Sequence, residues 1–131
     1  MSLKRMFVIV ALVEAFYCVA GLFTPPAWVL PVLGWNLSPD GQWVAKLLGL
    51  SLGIQGAIAW VLRRDPPVRV AWLLATYQIA AAAVDCVVWL GLRDQGIFAT
   101  PMARISIMVA IPTHALLGVL LIAAARRDRT A

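Results

Sequence analysis

Residues 68–92 read VRVAWLLATYQIAAAAVDCVVWLGL, an apolar stretch that is long enough to cross a bilayer yet carries Gln78 and Asp85 seven residues apart. A spacing of seven returns to the same face of a helix. A carboxylate at that depth costs about 2.5 to 3.5 kcal/mol on translocon-insertion scales, so Asp85 should point into a protein interior and have partners there. The other apolar segments must therefore supply those partners.

The composition is typical of a membrane protein. Of 131 residues, 63% are hydrophobic and 13% are charged, whereas a soluble domain carries roughly 25% charged residues. Four apolar segments, at about residues 6–23, 43–62, 68–92 and 102–125, predict a single transmembrane domain that covers residues 1–131. The fold class that we expect is all-α, an integral membrane four-helix bundle. Small residues in span two, at Gly49, Gly53 and Gly56, should let a neighbouring helix approach closely.

Residues 24–42, between spans one and two, contain four prolines that forbid one continuous helix. Trp28 and Trp35 keep the segment apolar. We expect it to lie along the membrane interface as a short helix or a re-entrant piece.

The positive charges predict the orientation. Eight of the eleven Lys and Arg residues fall on one side of the four predicted spans, so both termini should face the cytoplasm across the cell membrane. These eight are Lys4, Arg5, Arg63, Arg64, Arg69, Arg126, Arg127 and Arg129. The net charge of the chain is +5, and its cations lie at the ends of the apolar segments without forming a stripe on a soluble surface. We therefore expect the protein to bind membrane lipids and not nucleic acid.

Every span contributes a polar group near mid-depth, counted at about 1.5 Å per residue. In a helical bundle such groups can converge. Two carboxyl groups in that interior cannot easily both ionise, and a nearby His can share a proton with either. A separated acid and base are what isomerisation, cyclisation or epoxide opening of an apolar substrate requires. We therefore predict Glu14 and Asp85 as acid and base, and His114 as a shuttle or orienter.

Other residues are predicted to bind the substrate of such a site. Hydrogen-bonding supports would be Tyr17, Gln55, Tyr77 and Gln78, and walls for an apolar ligand or a cationic intermediate would be Trp60, Trp72 and Trp89. A purely structural interpretation stays open for the same set, because buried Gln and Tyr often only hold membrane helices together. Lys46, near the depth of Asp85, also offers that carboxylate an ion pair.

No motif for a cofactor or a metal occurs. The sequence has no phosphate-binding loop, zinc-protease motif or dinucleotide fingerprint, so we expect no cofactor and no metal. Cys18 and Cys86 lie in separate apolar segments, which favours two buried thiols over a disulfide.

The chain also shows a family likeness. A span that ends near Pro25 and Pro26 is followed by Leu33-Gly34-Trp35, the turn SPDGQW, a glycine-bearing span with Lys46 and Gly49, and a closing pair of arginines. This order resembles the DoxX-like group of small four-helix bacterial membrane proteins. The resemblance implies a four-helix bundle in a bacterial inner membrane and carries no catalytic residue across.

The buried acidic and histidine residues Glu14, Asp85 and His114 are similar in kind to those of membrane sterol isomerases and terpene cyclases, without a shared motif.

Three functions follow as hypotheses. The first is a membrane-embedded enzyme or binding protein for an apolar, isoprenoid-like or lipidic small molecule. The second is an accessory or assembly subunit of a larger membrane complex. The third is a proton-coupled small transporter, acting as a homo-oligomer, with Glu14 or Asp85 as the proton carrier.

Overall fold

The computed structural model describes residues 2–128, and every regular element in that range is a helix, which confirms the all-α prediction. Four helices are long and apolar enough to cross a membrane. They are α1 (Leu3–Cys18, continued by the π-helical segment Val19–Phe23), α2 (Pro39–Leu62), α3 (Val68–Leu92) and α4 (Pro101–Asp128). Met1 and residues 129–131 lie outside the described residues. They include both ends of the predicted domain and Arg129, one of the cations used to predict the orientation.

Three of the four helices begin at a hydroxyl cap, which makes them longer than the predicted spans. The Oγ of Ser38 accepts from the N–H of Gly41 at 3.1 Å, so α2 begins at Pro39 and not at 43. Thr100 accepts from the N–H of Ala103 at 3.1 Å at the start of α4, and Ser2 accepts from Arg5 at the start of α1. Each cap satisfies an N–H that the helix itself leaves without a partner.

α1 packs against α2 through glycines, as the small residues of span two predict. A methyl group on Gly49 would lie 2.8 Å from the backbone nitrogen of Leu22 and 3.1 Å from the carbonyl carbon of Gly21, and one on Gly53 would lie 2.6 Å from the Sγ of Cys18. Only a residue without a Cβ permits these backbones to approach so closely.

α3 packs mainly against α4, and α4 also contacts α1, so the two helix pairs form one bundle. Two apolar clusters close its ends. The cluster at the end that carries Lys4, Arg63 and Arg126, here called the arginine-rich end, contains Phe7, Leu121 and their neighbours. The cluster at the opposite end is built on Phe98, Ala103 and Ile107, with Trp35 and Trp89 packed against them.

The proline-rich segment is anchored to the second cluster. It forms a helical turn (Pro26–Trp28) and a π-helical turn (Val29–Leu33) that ends at Gly34, whose φ is 78°. The hydroxyl of Thr100 donates to the carbonyl oxygen of Gly34 at 2.5 Å, and the Trp35 ring packs edge-on against Phe98 at 5.5 Å between centroids. The segment therefore covers the end of the bundle where α4 begins.

Lys46 does not form the ion pair with Asp85 that its depth suggested. Its ammonium group donates to the carbonyl oxygen of Leu22 at 2.8 Å and to that of Thr24. These carbonyls belong to the end of α1, which has no further helical turn to bond them. The Lys46 side chain on α2 is therefore directed toward the end of α1 and not toward α3.

The glycine contact predicts a measurable effect of Gly49→Ala. The added methyl group meets backbone atoms that cannot move independently, so we expect the free energy of unfolding to fall by about 1–3 kcal/mol. The measurement is an SDS unfolding titration in mixed micelles. Gly91→Ala is the matched control, because nothing lies within 4 Å of a methyl group there. Equal stability of the two variants would contradict the close approach of α1 and α2.

Candidate functional site

A polar cluster lies between the two apolar end clusters, about halfway along the helices. Its four central members are Glu14 on α1, Gln78 and Asp85 on α3, and His114 on α4. Glu14 is 1% exposed and Gln78 is 0% exposed. Groups with such polarity are buried only when partners compensate the loss of water, so their contacts determine what the cluster can do.

Gln78 is the centre of the cluster. Its Nε2 donates to the Oε1 of Glu14 at 2.5 Å, and its Oε1 lies 2.6 Å from the Nδ1 of His114. An amide oxygen can only accept a hydrogen bond, so Nδ1 of His114 carries the hydrogen in this arrangement. One side chain on α3 thus connects α1 to α4 through two short hydrogen bonds.

Asp85 faces the other nitrogen of the imidazole. Its Oδ2 lies 3.9 Å from the Nε2 of His114. Gln78 and Asp85 are seven residues apart on the same face of α3. Gln78 therefore approaches one nitrogen of the imidazole, and Asp85 approaches the other. The hydrogen bond at Nδ1 makes Nε2 the nitrogen that exchanges a proton, and this nitrogen points to a carboxyl group.

The Asp85 and His114 pair is the accessible part of the cluster. Their side chains are 25% and 15% exposed, respectively, whereas Glu14 is sealed inside the bundle. A molecule that approaches from the side of the bundle would meet Asp85 and His114 first. Glu14 is connected to His114 through the Gln78 amide.

One oxygen of the buried Glu14 carboxyl group has no hydrogen-bond partner among the described residues. This oxygen is Oε2. The space for the carboxyl group depends on α2, because a methyl group on Gly56 would lie 3.1 Å from the Cβ of Glu14 and 3.2 Å from the carbonyl oxygen of Ala11. A buried polar atom without a partner is rare and marks a site where a proton, a water molecule or a ligand group can bind.

The two tyrosines and Gln55 border the cluster. The Tyr17 ring stacks on the His114 imidazole, with 6.5 Å between centroids and 25° between planes. The side chains of Tyr77 and of Gln55 on α2 lie close to each other beside the cluster. All four long helices therefore contribute to the polar layer.

The predicted tryptophan walls are placed differently. Trp60 is 47% exposed, and its ring lies under the guanidinium of Arg63, 3.8 Å from the ring centroid. Trp72 packs against the apolar cluster at the arginine-rich end. Trp89 lies one turn beyond Asp85, and its ring packs edge-on against Phe98 at 5.4 Å. Of the three, Trp89 lies nearest along the sequence to a member of the cluster, four residues from Asp85.

The cluster is tightly packed. Two shallow surface grooves, one beside Lys4 and Arg63 and the other beside Trp72 and Ile79, are not lined by Glu14, Gln78, Asp85 or His114. Among residues 2–128, no group of three His, Cys, Asp or Glu side chains is arranged to hold a metal ion, and both cysteines are free thiols. The cluster offers carboxyl groups and an imidazole that can exchange protons, and an amide that hydrogen-bonds to Glu14 and His114.

Comparison with protein-family models, with curated proteins and with solved structures finds no match to this chain. The resemblance to the DoxX-like group therefore stays a prediction.

The bridging geometry predicts that Gln78→Leu destabilises the protein. The variant removes the partner of Glu14 and of the Nδ1 of His114 together, and each buried polar group left without a partner costs about 1–3 kcal/mol. Unfolding by SDS in mixed micelles gives the difference. Ser106→Ala is the control, because its hydroxyl bonds only to Met102 of its own helix at an exposed position. A Gln78→Leu protein as stable as this control would show that the bridge does not hold the helices.

Proposed function

We propose that this chain is a multi-pass membrane protein whose Asp85 and His114 form an acid-base pair that transfers protons to and from an apolar, isoprenoid-like or lipidic substrate. The observation that carries the proposal is the position of His114. One imidazole nitrogen is fixed by Gln78 at 2.6 Å, and the other faces the carboxyl group of Asp85 at 3.9 Å. This is how proteins orient a general base and select its reactive nitrogen.

Membrane insertion is supported by the exteriors of the four helices. Large apolar side chains are exposed along all of them, for example Leu12, Ile54, Val87 and Leu116, and such continuous apolar surface is stable only against lipid. The positive charges at the arginine-rich end support an orientation with both termini in the cytoplasm. The resemblance to the DoxX-like group implies the inner membrane of a bacterium as the location.

The proposed reaction begins with Asp85 in its carboxylic acid form. Its proton is added to a carbon–carbon double bond or an epoxide oxygen of the substrate, which leaves a carboxylate and a substrate cation. For isomerisation or cyclisation, Nε2 of His114 then removes a proton from an adjacent carbon, and the electrons of that C–H bond form the new double bond. For epoxide opening, a water molecule attacks the cationic carbon and gives its proton to Nε2 of His114. The imidazolium returns its proton to Asp85, so one proton enters the substrate, another leaves, and the pair is restored.

Glu14 and Gln78 support the Asp85 and His114 pair without touching the substrate. We assign Glu14 the role of a remote carboxyl group and not of a base that touches substrate, because its side chain is 1% exposed. Glu14 accepts from the Gln78 amide and so holds the amide oxygen against Nδ1 of His114, which favours the Nδ1–H form and stabilises the imidazolium formed during the reaction. The Tyr17 ring stacked on the imidazole limits its rotation.

Access from the lipid follows from exposure. Asp85 and His114 are the partly exposed members of the cluster. In the proposed membrane orientation, lipid would adjoin the bundle at their level. An apolar substrate dissolved in the membrane could place its reactive bond against them without leaving the bilayer. Tyr17 and Trp89 border this approach.

A structural role is the second candidate, and the tight packing of the cluster favours it. Neither surface groove reaches the polar groups. In that case the chain would be an accessory subunit of a larger membrane complex, and Gln78 would serve only to hold its helices together. The proton-coupled transporter remains a third hypothesis, distinguished by ligand uptake that depends on pH.

Isotope incorporation tests the proposal without a known substrate. Purified protein in liposomes that contain a bacterial apolar lipid extract is incubated in water carrying deuterium and oxygen-18, and the lipids are analysed by mass spectrometry. Isomerisation or cyclisation puts deuterium on carbon, and epoxide opening adds oxygen-18. We expect one apolar lipid to be labelled by the wild type and labelling to fall by about 10²-fold or more in Asp85→Asn, because a general acid contributes about 10²–10⁴-fold.

Two controls make the result specific. Trp60→Phe changes an aromatic side chain away from the site and should keep full labelling. Asp85→Asn should remain folded, since it changes only the protonation chemistry of a partly exposed side chain. Absence of labelling in the wild type, or equal labelling by Asp85→Asn, contradicts the acid-base function and leaves the structural role.

A further inference from the structure

We propose that the groove between the start of α1 and the end of α2 binds one anionic phospholipid. The groove is lined by three cationic and two apolar side chains, Lys4, Arg5, Val8 and Ile9 of α1 and Arg63 at the end of α2. The proposal rests on membrane insertion but is independent of the acid-base chemistry.

The shape of the groove matches the two parts of a phospholipid. Lys4 and Arg5 lie in the first turn of α1, and Val8 and Ile9 lie one turn further along the same face, about 6 Å deeper. A phosphate at the level of the cations would therefore have its acyl chain beside the two apolar residues. A soluble anion would contact only the cationic side chains and not the two apolar ones.

Arg63 is held in place before any ligand binds. Its guanidinium lies over the Trp60 ring at 3.8 Å from the centroid, and its Nη1 donates to the carbonyl oxygen of Trp60. A stacked guanidinium loses less rotational freedom when it binds phosphate than a free one does. Trp60 itself is 47% exposed beside the groove, as expected for an interfacial tryptophan.

The positive charge of the groove is not neutralised within the chain. Among residues 2–128, Lys4, Arg5 and Arg63 form no ion pair with a carboxylate. Asp65 and Asp128, the carboxylates at this end, do not line the groove. Three uncompensated cations beside an apolar strip complement a lipid with net negative charge, and basic sites between membrane helices bind such headgroups.

Native mass spectrometry of the full chain, released from detergent micelles, tests the proposal. The probes are dioleoyl phosphatidylglycerol, dioleoyl phosphatidylcholine and inorganic phosphate. We expect the wild type to retain phosphatidylglycerol in preference to phosphatidylcholine, and an excess of inorganic phosphate not to displace it. Lys4→Gln and Arg63→Gln should each weaken retention about fivefold, the effect of one basic residue near an anionic lipid surface.

Arg69→Gln is the matched control, because it removes the same charge at the same end but does not line the groove. The control should retain the lipid as the wild type does. An equal loss in Arg69→Gln, equal retention of both lipids, or displacement by inorganic phosphate would overturn the proposal. Lys4 is exposed, so its variant tests the site even if Arg63→Gln fails to fold. Carbonate extraction of the membranes reports insertion separately.

Discussion

The bundle depends on one buried amide that is bonded at both ends. Gln78 donates to Glu14 and accepts from His114, so a single side chain of α3 fixes the relative rotation of α1 and α4. In an apolar interior, a slip of either helix would leave an amide, a carboxyl group and an imidazole without partners. Apolar contacts alone would tolerate many rotations of smooth membrane helices, and this bridge selects one of them.

The apolar packing in turn makes the bridge possible. Glycines on α2 let α1 approach until the Cβ of Glu14 lies beside Gly56, and Gly118 gives the Ile79 side chain room between α3 and α4. The two apolar clusters then close the ends of the polar layer. What remains accessible is the side where Asp85 faces His114, and this combination of a sealed interior with one open edge is why proton transfer to a lipid-borne substrate is the function that we propose.

The sequence was sufficient for the features that depend on composition and spacing. Apolar length predicted four long helices, and the interval of seven placed Gln78 and Asp85 on one face, where both now approach His114. It was not sufficient for features that depend on helix rotation. Depth alone paired Lys46 with Asp85, and aromatic character alone made Trp60 a candidate wall of the site. In the structure Lys46 is directed toward the end of α1, and Trp60 lies against Arg63. Gln78 was expected as one support among several, because sequence cannot show that two partners from different helices meet it.

Nitrogen-15 NMR of the protein in lipid bilayers tests the bridge most directly, because His114 is the one histidine of the chain and gives a single pair of ring signals. The account predicts a protonated Nδ1 with a dipolar contact to a glutamine side-chain carbonyl carbon, and loss of that contact in Gln78→Leu. A bare Nδ1 with the hydrogen on Nε2, or a ring without a glutamine contact in the wild type, would contradict it.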